Sequence, residues 1–275
     1  MKIPFDSTKV QFAALASGFN PNNALYLAAA SNLAYEDSQK IEQQVGEWGY
    51  PKYRFLDAGG STQGFVCAND QVLWLVFRGT EVKKLNDIFT DLEFELVKNP
   101  GGGKTHIGFS RGIAEVWSEV NAAFEELYTH QSIWISGHSL GAALAILAAE
   151  RLHREKQLTA QGIYTFGQPR VGNFTYSRVV DKAFPKRCLR FVNNNDIVPR
   201  VPPPGLILRY WHSLSPMYID AESRLRPNIS LVGRVWEDLK GAFKDLGKVG
   251  IDALKDHSMD RYMEDMVKIA ASEKG

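Results

Sequence analysis

The chain has 275 residues, a length at which an α/β fold is commonly one domain, and 44% of them are apolar, enough for a sizeable core. Its 32 Lys and Arg against 31 Asp and Glu leave a net charge of +1, which argues against nucleic acid as a partner. The two cysteines, Cys67 and Cys188, lie far apart and in no metal-ligand spacing, so two buried thiols in a reducing compartment are expected. The start, Met1 to Lys9, lacks the basic lead and apolar run of a secretory signal, and no segment reaches membrane-spanning length. Those features read as cytoplasmic, with secretion without a visible leader left open.

In chain order, residues 10 to 36 carry helical periodicity and predict two covering helices broken at Gly18-Phe19-Asn20-Pro21. Asn20 is the expected cap and Pro21 the first helical residue. Trp48 to Pro51 reads as a turn. A strand ladder follows at Tyr53–Phe55, Thr62–Ala68 and Val72–Phe77, the last almost continuously apolar, as a strand covered on both faces should be. A polar loop from Glu81 to Asn86 and the glycine-rich Gly101–Lys104 precede a helix from Ser110 to Thr129. That helix places Ile113, Val116, Trp117, Val120, Phe124 and Leu127 on one face.

The next stretch organises the chain. The β-prone Ile133-Trp134-Ile135 meets Gly137-His138-Ser139-Leu140-Gly141, a G-x-S-x-G pattern, and an alanine- and leucine-rich helix runs from about Ala142 to His153. Strand, sharp turn and helix are the context of a nucleophile elbow, in which the flanking glycines allow a serine to project from a strained turn. Ser139 is therefore the candidate nucleophile. Downstream, Gly162–Phe166 reads as a strand, Gln168–Gly172 as a turn, Asn173–Phe184 as a helix and Leu189–Val192 as a strand. The alternation predicts an α/β fold with a mostly parallel sheet and its active groups at the carboxyl ends of the strands. No repeat or linker divides residues 1–275, so a single domain is expected.

A serine hydroxyl needs a base, and the base needs an anion to orient it. Asp196 follows the strand Leu189–Val192 in the turn Asn195–Pro199 and is the candidate acid. His153, His212 and His257 lie after Ser139. His153 sits on the helix behind the nucleophile. His212 lies in an aromatic, strand-like segment, whereas His257 stands at a loop-to-helix junction and is favoured as the base. His138, inside the elbow, reads as a packing or turn residue.

Phe77–Thr80, His106–Phe109, Gly137–Ala142, Thr165–Gly172, Asn195–Pro199 and Asp256-His257 follow one another as in class 3, or fungal-type, lipases. The resemblance spans residues 72 to 262 and implies an α/β-hydrolase fold, a mostly parallel central sheet flanked by helices. It implies Ser139 as nucleophile, Asp196 as orienting acid and His257 as general base, with Thr80 and the amide of Leu140 as oxyanion donors. It also implies a serine carboxylester hydrolase acting on a lipid or other ester substrate, with transient contact to a lipid interface. No metal, cofactor or protein partner is implied.

Two stretches depart from that pattern. Where the family carries an apolar-faced lid, Glu81 to Phe89 is mixed in character, with Leu85, Ile88 and Phe89 as candidate substrate contacts. Its charge favours soluble or short-chain esters. An insert of about 228–255 alternates apolar residues with lysines and acids and reads as helical, interrupted by Gly241, Gly247 and Gly250. A short-chain esterase, a phospholipase or a catalytically silent membrane-associating module would use the same scaffold.

Overall fold

The structure, a computed structural model, describes residues 10–80, 94–202, 209–213, 216–227 and 255–272. The lid candidates Leu85, Ile88 and Phe89 and the insert from 228 to 254 lie outside these residues.

The first half comprises α1 (Pro21–Leu33), α2 (Ser38–Glu47), β1 (Lys52–Asp57), β2 (Gln63–Ala68), β3 (Val72–Phe77), β4 (Leu96–Lys98), β5 (Lys104–His106) and α3 (Ile107–Leu127). Then come β6 (Ser132–His138), α4 (Leu140–Lys156), β7 (Gly162–Phe166), β8 (Gly172–Asn173), α5 (Phe174–Ala183) and β9 (Cys188–Asn193). The last described elements are β10 (Tyr210–Trp211), β11 (Pro216–Ile219), β12 (Leu225–Pro227) and α6 (Met259–Ser272). Among the described residues, eight strands form the main sheet in the order β1-β2-β3-β6-β7-β9-β11-β12. From β3 to β11 neighbours run parallel; β1 and β2 at one edge and β12 at the other are antiparallel.

The near-continuous apolar strands are explained by cover on both faces. In β3, Leu73, Leu75 and Phe77 enter the core formed with α3, α4 and α5, while Trp74 and Val76 enter the core formed with α1, α2 and α6. The same alternation puts Ile133 and Ile135 of β6 on the first side and Trp134 on the second. Cys67 and Cys188 are buried free thiols, one in each of these cores and so on opposite faces of the sheet.

α1 begins as its sequence predicts: the Asn20 side chain accepts from Asn23 N–H at 3.0 Å, and Pro21 occupies the first turn. The expected helix before Gly18 is absent, and helix within residues 10–36 is confined to Pro21–Leu33. The backbone groups that would build it are bound by side chains instead. Asn23 clamps Ala13, accepting from its N–H at 2.7 Å and donating to its carbonyl at 2.9 Å. The Trp134 indole N–H donates to Ala14 O, and the Tyr164 hydroxyl donates to Gly18 O. Tertiary bonds outweigh a weak local propensity there.

A smaller antiparallel sheet, ordered β10-β8-β5-β4, lies beside the main one. Its strands are two or three residues long. This sheet delivers His106 to the start of α3, where its side chain accepts from Gly108 N–H at 3.0 Å.

Candidate active site

Ser139 sits between β6 and α4 with φ 57° and ψ −126°, a combination L-residues rarely adopt and one costing about 1–3 kcal/mol. Two backbone bonds hold it there. Ser139 N–H donates to Phe166 O at the end of β7, and Ser139 O accepts from Ala142 N–H, both at 3.0 Å. The glycines around it allow close approach. A Cβ on Gly141 would overlap Phe77 O, and one on Gly79 would overlap His138 O and the Tyr35 hydroxyl while lying 3.1 Å from Ser139 Cβ. Thr80 therefore follows directly on a residue that abuts the serine. Leu140, the first residue of α4, presents one of the amides that no intrahelical carbonyl can satisfy.

Asp196 comes from the turn after β9 and His257 from the residues before α6. His257 Nδ1 lies 2.9 Å from both Asp196 carboxylate oxygens. Both side chains are fully buried. Nδ1 therefore carries the hydrogen, since a carboxylate only accepts. His257 Nε2 is also buried and bonds to no protein atom among the described residues. The carboxylate receives further donors: the Tyr262 hydroxyl at 2.7 Å on Oδ2 and Val198 N–H at 2.9 Å on Oδ1. Tyr262, on the first turn of α6, in turn accepts from Asn193 N–H at 3.0 Å. Burial, and then the neighbouring Asp196, push its phenol well above the usual range, so it remains a donor.

Two further ties set the distance between acid and base. The Asp256 side chain accepts from Asn195 N–H at 3.2 Å and from the Asn194 amide at 3.3 Å, joining the β9 turn to the residue before His257. Gly167, after β7, has φ 59°; a Cβ there would lie 2.7 Å from His257 Cε1 and 2.8 Å from both Asp196 Oδ2 and His257 Nδ1. The turn beyond Asp196 is strapped down by Arg170, whose guanidinium donates to Arg200 O and Pro202 O.

The histidines set aside in the sequence lie elsewhere. His212 is bonded through Nε2 to Pro199 O at 2.6 Å, and burial, followed by the nearby Arg190 and Arg170, pushes its pKa well below the ordinary value. It supports the turn after the acid and does not touch it. His153 bonds Thr159 Oγ1 at 3.0 Å on α4. His138 does approach the site: its ring stacks on that of His257, with 4.4 Å between centroids and 29° between planes. Ser139 thus stands at the carboxyl end of β6 and Asp196 just past that of β9, with His257 paired to Asp196 and stacked on the residue before Ser139.

Tyr262 and Tyr35 escaped the sequence reading. A tyrosine on the mostly apolar buried face of α6, five positions after the candidate base, was the available signal for the first. Among the described residues no group of His, Cys, Asp or Glu side chains gathers as a metal site would require.

Comparison with known proteins finds relatives in sequence and in fold. Residues 74–206 match the lipase (class 3) family. A lipase of Rhizomucor miehei is 37% identical over 145 residues, which cover 49% of this chain and 39% of that protein. Lipase II from Rhizopus niveus superposes with a TM-score of 0.63 at 26% identity, over 74% of this chain and 83% of that one. A triacylglycerol lipase whose catalytic centre is a serine protease triad gives 0.61 at 28% identity, over 75% and 82%. The chain spans about two-fifths of the length of the Rhizomucor miehei protein. Over residues 74–206 and in its α/β-hydrolase fold, this chain is similar to the class 3 lipases.

Proposed function

We propose that the chain is a serine carboxylester hydrolase of lipase type, acting on acylglycerols or related fatty-acyl esters, with Ser139 as nucleophile, His257 as general base and Asp196 as the anion that orients it. One observation carries this reading. A serine in the strained elbow conformation shares the site with a buried His–Asp pair whose Nε2 is committed to no other group. The neighbouring His138, by contrast, is bonded through both of its ring nitrogens.

In the proposed reaction Ser139 Oγ attacks the ester carbonyl carbon as its proton passes to His257 Nε2. The carbonyl oxygen becomes an oxyanion received by the amides of Thr80 and Leu140, where one such donor is typically worth about 2.7–4 kcal/mol. Asp196 stabilises the imidazolium without taking its proton. The carbon–oxygen bond to the alcohol then breaks, and His257 returns the proton to the leaving alcohol. Water next gives a proton to His257 and attacks the acyl carbonyl. Ser139 leaves with that proton, and the carboxylic acid departs. The 2.7 Å bond from Tyr262 and the 2.9 Å bond from Val198 N–H hold the carboxylate so that Nδ1–H stays aligned through both half-reactions.

The test is the initial rate on p-nitrophenyl esters from acetate to palmitate, with Ser139→Ala alongside. A maximum at medium or long chains, abolished in Ser139→Ala, is the expected result. A maximum at acetate or butyrate makes the protein a short-chain esterase on this scaffold. No hydrolysis at any chain length contradicts the proposal.

A further inference from the structure

We infer that His138, clamped by Tyr35, is a positioning residue for His257; the inference rests on the triad reading above. His138 precedes Ser139 and is fully enclosed, at 1% exposure. Each of its ring nitrogens has one partner. Nε2 lies 2.7 Å from the main-chain carbonyl of His257, and Nδ1 lies 2.8 Å from the Tyr35 hydroxyl. A carbonyl can only accept, so Nε2 carries the hydrogen and Nδ1 accepts from Tyr35 O–H. The tautomer is fixed by its two neighbours. Burial, and then the proximity of His257, push the His138 pKa well below its ordinary value.

This arrangement acts on His257 at two points. The hydrogen bond fixes the main chain of His257 from the nucleophile's side, while Asp196 fixes its ring from the other. The stacked ring, 4.4 Å between centroids, sets the plane in which the His257 ring lies. A neutral imidazole also offers its π face to the imidazolium that forms during catalysis, where a charged ring would repel it. Only a permanently neutral His138 serves both purposes.

Tyr35 extends the clamp to the other half of the site. Its hydroxyl lies against the backbone at Gly79, leaving no room for a Cβ, and the Arg78 guanidinium stands 5.7 Å over its ring. Arg78 and Gly79 lead directly into Thr80, the proposed oxyanion donor. Tyr35, just beyond the C-terminal end of α1, thus connects the segment before Thr80, the residue before the nucleophile and the base. A residue linking all three must be judged by its effect on turnover as well as on stability.

The experiment compares His138→Phe, His138→Gln and Tyr35→Phe with the unaltered chain, measuring kcat and KM on a p-nitrophenyl ester. It also follows the downfield proton resonance of the His257 Nδ1–H bonded to Asp196. His138→Phe keeps a ring face but loses the donor; His138→Gln keeps a donor but loses the ring. Each is expected to lower kcat about 10- to 100-fold with KM within about twofold, the scale of a sub-ångström misplacement of a catalytic group, and to shift or broaden the resonance. Tyr35→Phe, which leaves both contacts but releases the tautomer clamp, is expected to cost roughly 3- to 10-fold in kcat. A purely structural role would lower the thermal midpoint and leave kcat and the resonance of the folded fraction untouched. That outcome overturns the inference. If either His138 variant fails to fold, the other variant and Tyr35→Phe decide the question. Ser139→Ala is measured in the same series: if it retains activity, the triad reading fails, whereas an inactive Ser139→Ala with unaffected His138 variants sinks only the positioning role.

Discussion

Gly167→Ala places a single methyl group against the proposed acid–base pair without altering any side chain that bonds. Its Cβ would lie 2.7 Å from His257 Cε1 and 2.8 Å from Asp196 Oδ2 and His257 Nδ1. Ordinary contact needs about 3.5 Å, so roughly 0.7 Å of movement must come from somewhere. The backbone resists: Gly167 N–H donates to Phe191 O at 3.1 Å, and next to it Thr165 Oγ1 bonds the Gln168 side chain at 2.8 Å. Alanine at φ 59° adds a further conformational cost of about 1–2 kcal/mol. The softer element is the His257 ring, which would be displaced along its bond to Asp196. Movement on that scale is expected to lower kcat about 10- to 100-fold with KM little changed. The assay is steady-state hydrolysis of p-nitrophenyl butyrate, with circular dichroism and a thermal melt to show that the protein is folded. A folded Gly167→Ala with wild-type kcat would refute the reasoning, because the pair would then tolerate the displacement or take no part in the reaction.

Tyr262→Phe removes one donor to Asp196 and leaves Asn193 N–H without its acceptor. Bonds to a charged group are worth about 1.5–3 kcal/mol, so a loss of stability of that order should accompany a roughly tenfold fall in kcat, read by denaturant titration and by kinetics. His212→Gln should cost about 1–3 kcal/mol of stability by loosening the turn at Pro199 while retaining most turnover; loss of turnover at unchanged stability would move the base to His212. Acid should destabilise the fold through its buried histidines. Burial lowers His106 to about 4 and pushes His138 and His212 well below their ordinary value. Above pH 6.5 these groups are neutral in both states and cost nothing. As pH falls below that, the unfolded chain binds protons that the folded chain refuses, and stability drops by up to about 1.4 kcal/mol per pH unit for each. Urea midpoints at pH 8, 6 and 5 check this: a flat or rising trend on acidification contradicts it, and His106→Gln should make the fall shallower.

Much of the site was legible because strained turns and parallel strands leave strong local marks. Gly137 to Gly141, with the apolar β6 before it and α4 after it, specify the elbow, and the short turn after β9 specifies Asp196. The placement of His257 before a helix was equally readable. What escaped depends on neighbours far away in sequence. Residues 10–18 carry a helical pattern that yields to the Asn23 clamp on Ala13 and to Trp134 and Tyr164. α2 buries only Ile41 and Val45, too narrow a stripe to stand out. The strands of the smaller sheet are too short to show a period of two. His138 reads as a turn residue until Tyr35, from the end of α1, and His257, from the start of α6, are seen on its two nitrogens.

The most direct measurement is covalent labelling with a fluorophosphonate, with the modified residue mapped by peptide mass spectrometry. The account predicts a single adduct on Ser139, absent in Ser139→Ala and formed far more slowly in His257→Gln and Asp196→Asn. No adduct on the folded protein, or an adduct on another serine that persists in Ser139→Ala, would contradict it.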